Sequence, residues 1–75
     1  MSQQEQKIQV EVARSLGWDA FHFGKNRVPA YDKEFLAMCE VIQSTQKVEF
    51  GFTIPLLKAW LDGWDAANLS LTVEV

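Results

Sequence analysis

Four polar residues in the short run FHFGKNR, namely His22, Lys25, Asn26 and Arg27, are the side chains best suited to hold a ligand. Phe21 and Phe23 interleave them. Aromatic rings next to cations at a turn can stack a base and hold a phosphate. Gly24 can free backbone N–H groups for an anion. The competing reading is a solvated loop that sends Phe21 or Phe23 into the core. His22 has only Asp19 within three or four residues as a second ligand, so no metal site is read.

Other chemistry-bearing residues are dispersed. Acidic residues, Glu11, Asp19, Asp62 and Glu74 among them, are scattered without a block of like charge. On one face they could imitate a phosphate backbone; otherwise they solvate helix surfaces. Cys39 is the only cysteine and lies in the apolar FLAMCEV, which suits a small buried hydrophobe rather than a reactive thiol. The chain has no nucleophile motif, phosphate-binding glycine loop or zinc spacing. A non-enzymatic protein without cofactor is therefore expected.

Composition narrows the class. Seventy-five residues make one small domain, 1–75. At this length a chain buries only about 60% of the surface its unfolded form exposes, so a partner subunit would help it. A hydrophobic content of 48% is too high for a disordered chain. The net charge of −3 argues against a general nucleic-acid coat protein, which needs a dense basic surface. The start MSQQEQKIQV lacks the apolar core of a signal peptide, and no stretch approaches the roughly 18 apolar residues of a membrane span. A cytoplasmic protein without a membrane partner is the expectation.

The elements that must position these residues follow from periodicity. Ile8, Val12, Leu16 and Ala20 recur every four residues, with Ala13, Gly17 and Phe21 alongside, which predicts a helix from about Ser2 to Phe23. The alternation in KIQVEV is a rival strand reading. Gly24 offers a stop, and Pro29 biases Val28 towards extended backbone. Asp32 can cap a second helix over Lys33 to Ser44, with Phe35, Met38, Cys39 and Ile42 on one face. Period two in KVEFGFTI predicts a strand over Lys47 to Ile54. Thr53 and Pro55 then open a third helix, about Ile54 to Asn68, with an apolar stripe of Leu57, Trp60, Leu61 and Trp64. The tail LSLTVEV alternates again and reads as a second strand, whose apolar edge would pair two copies into a homodimer. The expected fold is α+β: three helices with two short strands, the outer helices packed as an antiparallel pair.

The tetrapeptide Gly-Trp-Asp-Ala occurs twice, at Gly17 to Ala20 and at Gly63 to Ala66. A glycine inside a helix costs about 0.5–1 kcal/mol relative to alanine, so close approach of a neighbour is its expected reason. Trp64 is expected to lie across Gly17 and Trp18 across Gly63, with Ala20, Ala66 and Ala67 widening the contact. Asp19 and Asp65 would then point outward.

The segments ARSLGWDAFHFGKNR and AWLDGWDAAN resemble the ribosome modulation factor family and its short bacterial and phage relatives. Gly17, Trp18 and Ala20 match that family's first-helix motif, Gly24-Lys25 its turn, and Trp60, Gly63 and Trp64 its second-helix motif. The resemblance implies a helical pair and a ribosome-associated factor that binds ribosomal RNA, here through His22, Lys25 and Arg27. This chain is acidic where the family's type member is basic, lacks that member's Cys-Pro, and has an inserted segment from about Asp32 to Thr53. The leading expectation is thus a regulatory binding protein of bacterial or phage origin that occupies a host protein's surface. RNA binding on the ribosome is the alternative.

Overall fold

Helix formation runs further along this chain than its alternating segments imply. The computed structural model describes residues 3–46, 48 and 51–73. It contains three helices: α1 (Gln3–His22), α2 (Lys33–Thr45) and α3 (Thr53–Val73). A single 3-10 turn, Pro29–Tyr31, precedes α2. No strand occurs among the described residues, so the fold is all-α and the expected α+β class is corrected.

The described residues of both expected strands take other forms, each for a local reason. An isolated pair of strands is marginal, whereas a helix satisfies its own backbone and extends at little cost once nucleated. Leu69 to Val73 continue α3, with no glycine or proline after Asn68 to stop it. The apolar strand edge that was to join two copies is therefore not formed; Glu74 and Val75 lie outside the described residues. In the other segment Gly51 and Phe52 form a turn, Gly51 has a positive φ of 82°, and Thr53 and Ile54 already belong to α3. Val48 and Phe52 pack partly against the core, while Lys47, Glu49 and Phe50 lie outside the described residues. The rival strand in KIQVEV is helix α1 throughout.

The helix ends are set by local chemistry. At the end of α1, Gly24 takes a φ of 76°, its N–H donates to the Phe21 carbonyl, and the Lys25 N–H donates to the Ala20 carbonyl. This double bond is the Schellman termination that a left-handed glycine permits. Val28 is extended before Pro29, at φ −135° and ψ 98°. Asp32 caps α2, its carboxylate accepting from the Glu34 and Phe35 N–H groups.

The core joins Ala13 and Ala20 of α1, Phe35 and Ile42 of α2, and Leu56, Ala59 and Trp60 of α3. Ala67 is buried too. On α3 the buried face is thus centred one position away from the expected stripe: Leu57, Leu61 and Trp64 are only half-buried. On α1 the small residues turn inward, while Ile8 and Val12 stay 59% and 43% exposed.

The α1–α3 seam is closer than a side chain allows. A Cβ built on Gly17 would stand 1.9 Å from the Trp60 carbonyl oxygen, and one on Gly63 would stand 2.0 Å from the Arg14 carbonyl oxygen. Residue 17 faces 60 and residue 14 faces 63, so the two chain directions oppose each other through the contact. The glycines do form notches, but what fills them is backbone. Neither indole does so, which corrects the expected placement of Trp64 over Gly17 and Trp18 over Gly63. Ala13, Gly17 and Ala20 meet Ala59, Gly63 and Ala67 as a surface of small residues; Ala66, expected to widen it, is exposed.

Candidate binding face at the α1–α2 connection

The residues singled out for ligand binding sit where α1 ends and the chain crosses to α2. The Schellman turn at Gly24 reverses the backbone and carries Lys25, Asn26 and Arg27 back over α3. Each is then engaged by a particular partner.

Arg27 and Asp65 form a two-pronged pair: Arg27 Nε and a terminal guanidinium nitrogen donate to the two carboxylate oxygens, both at 2.7 Å. The hydrogen bonds from Arg27 hold the Asp65 carboxyl below the usual carboxylate range. The same bonds raise Arg27 above its ordinary value. Asp65 thus points at a cation rather than simply outward. The Lys25 carbonyl accepts the Trp64 indole N–H at 3.0 Å, and its ammonium lies 3.7 Å from an oxygen of Asp32. The Asn26 carbonyl accepts the Val28 N–H at 2.8 Å. His22 packs its ring 5.3 Å from that of Trp18 and 5.6 Å from Phe21, which meets Trp64 edge-on at 5.1 Å. Trp18 and Trp64 therefore serve this end of α1, not the glycine notches.

Asp32 is the junction that the sequence did not disclose. Only 2% of it is exposed. One oxygen caps α2; the other accepts the Trp60 indole N–H at 2.7 Å. One side chain thus fastens the start of α2 to the centre of α3. The cap was readable from sequence. The indole bond was not, although a buried tryptophan ring generally needs an acceptor.

An open cleft of about 230 Å³ lies beside this junction, lined by Gly24, Lys25, Asn26, Val28, Tyr31 and Asp32, with Trp60 at its base. Both oxygens of Asp32 are already bonded within the protein, so it is poorly placed to move a proton. Among the described residues no group of three or more histidine, cysteine, aspartate or glutamate side chains is placed to hold a metal ion. Burial pushes the Cys39 thiol above its ordinary value, in keeping with its packing against the core.

Large aromatic rings are presented to solvent here beside the exposed Lys25, Asn26 and Arg27. Phe23 is 79% exposed and Tyr31 77% exposed, and Trp18 and His22 also belong to the surface. One of the two readings of the sequence sent Phe21 or Phe23 into the core; Phe21 is half-buried and Phe23 is exposed. The cations between these rings are largely neutralised by carboxylates of α2's cap and α3. Among the described residues no helix is long and apolar enough to cross a membrane. No protein-family model matches the chain, and comparison with curated proteins and with solved structures found no match either.

Proposed function

We propose that the chain is a small, non-enzymatic binding protein that works in the cytoplasm by covering a surface of another protein. The observation that carries this reading is the exposure of Phe23 and Tyr31 around a loop whose cations are paired. Aromatic residues are enriched at the centres of protein interfaces, because a rigid ring buries much area at little entropic cost. A nucleic-acid surface works differently: it must neutralise phosphates with free cations. Arg27 is committed to Asp65, and Lys25 stands by Asp32, so RNA would have to compete with internal carboxylates. A regulatory role of the bacterial or phage kind rests on the resemblance to short ribosome modulation factor-like proteins. Occupying a surface is itself sufficient for regulation.

The test is affinity capture from a nuclease-treated bacterial lysate, with the wild-type chain and with F23A/Y31A. Protein binding at this face is expected to give nuclease-resistant capture that the double variant loses while its melting temperature stays unchanged. Co-sedimentation with ribosomes that falls steeply with salt, and that is abolished by K25E/R27E but not by F23A/Y31A, would transfer the reading to RNA.

A further inference from the structure

A second unpartnered surface lies between α1 and α2. An open apolar groove of about 460 Å³ runs between the first half of α1 and α2. Ile8, Val12 and Leu16 form one wall at four-residue spacing; Ala37, Met38 and Val41 form the other. At its end a Gln9 amide donates to the Gln46 side-chain oxygen at 3.3 Å, tying the two helices together. Val41 is 58% exposed. The geometry points to a second copy of this chain as the occupant, with the N-terminal half of each α1 seated in the partner's groove.

Three observations single out that occupant. First, the protein is short of core. Among the described residues the large side chains that are fully buried are Phe35, Leu56 and Trp60, Ile42 is nearly so, and the other buried hydrophobic residues are alanines. Among the same residues ten large hydrophobics are exposed by contrast. Scattered exposed hydrophobics are ordinary, but a contiguous groove facing a thin core marks a surface that is normally covered. Second, the groove is self-complementary. Ile8 and Val12 of the wall stay exposed, and in a two-fold contact the same residues supply both the groove and the ridge that enters it. Two α1–α2 layers facing each other make a four-helix arrangement, doubling a contact that a single docked helix would make once. Third, the charges flanking the groove are of both signs: exposed Lys7 and Glu11 beside Ile8 and Val12, exposed Lys33, Glu34 and Glu40 on α2. A mixed rim suits pairing with itself better than with a partner of one strong charge.

This pairing uses neither the C-terminal segment nor the aromatic face, so it stands independently of the proposed function. Sedimentation and thermal melting of the full chain over a hundredfold concentration range test it. A dimer is expected at high concentration, with a melting temperature that rises with concentration, since association stabilises only the folded chain. V12E/V41E is expected to sediment as a monomer and to lose that dependence, whereas F23A/Y31A retains both. A wild-type chain that stays monomeric up to about 1 mM, the weak end of measurable association, with a concentration-independent melt, would overturn the inference. So would a dimer that V12E/V41E leaves intact, or one that F23A/Y31A abolishes. If V12E/V41E does not fold, the concentration dependence of the wild-type melt decides alone.

Discussion

Helix α1 meets its two neighbours in opposite ways. Towards α3 it presents Ala13, Gly17 and Ala20, and the backbones approach until a single methyl group could not be inserted at Gly17 or Gly63. Towards α2 it presents Ile8, Val12 and Leu16, and these leave an open groove. The large residues therefore line the loose contact and the small ones make the tight one. Attraction between packed surfaces depends on proximity: dispersion falls away steeply with a gap, and close helix backbones add weak Cα–H···O contacts. Side-chain bulk raises the hydrophobic gain only when something covers it. On this chain the seam is complete by itself, and the groove is complete only with a second molecule in it.

The most severe way to break the comparison is to place a methyl group in the seam. Gly17→Ala and Gly63→Ala each collide with backbone that has no rotamer to change, and each is expected to cost at least about 3 kcal/mol. A domain of this size has a total stability near the low end of about 5–15 kcal/mol, so either variant should melt at least about 10 °C below wild type by circular dichroism. A melting temperature within a few degrees of wild type would mean that the helices are not in backbone contact.

Next in size is the junction that locks α2 beside the seam. Asp32→Ala removes the cap and leaves the Trp60 indole N–H buried without an acceptor, for a combined loss of about 2–4 kcal/mol in chemical denaturation. Asp32→Asn retains one acceptor oxygen, enough for the cap or for the indole but not for both, and should lose less. Equal losses for the two variants would show that the bond the asparagine keeps contributes nothing.

The groove should be far more forgiving. At concentrations low enough to keep the chain monomeric, Val12→Ser is expected to change stability by no more than about 0.5 kcal/mol, as for other exposed positions. A larger loss in the dilute protein would mean that the groove is closed within one chain, and the contrast with the seam would disappear.

The smallest effect belongs to the Arg27–Asp65 pair at the surface. Asp65 has its folded-state affinity for a proton depressed, so its contribution is present at neutral pH and fades as pH falls through and below the ordinary carboxylate range. Arg27 is shifted upward, so its share is lost only in strongly alkaline solution. Arg27→Gln should lower the melting temperature slightly in dilute buffer at pH 7. The effect should shrink in about 1 M salt, where the screening length falls to roughly 3 Å.

These contrasts also show what a reader of the sequence could and could not see. Gly17 and Gly63 announced a close approach because a helix interior disfavours glycine. They could not say what approached, since a vacancy is equally open to an indole or a carbonyl. Gly24, Pro29 and Asp32 specify their turns locally, so the end of α1 and the start of α2 were legible to within a residue. The alternation in LSLTVEV was misleading, because a strand needs a neighbour to pair with and none occurs among the described residues. At the binding face the cations were legible and their neutralisation was not. Asp65 lies 38 residues from Arg27, and only the seam brings them together.

The three tryptophans end up in three distinct settings: Trp60 fully enclosed, Trp64 half-covered and bonded to the Lys25 carbonyl, Trp18 at the surface beside His22. The molecule consequently carries its own optical gauge. Iodide should quench emission from Trp18 readily and leave that of Trp60 dark to the quencher, so opening of the interior would register as a newly accessible population of fluorophores. Light emission alone could then follow the interior and the rim separately in a single sample.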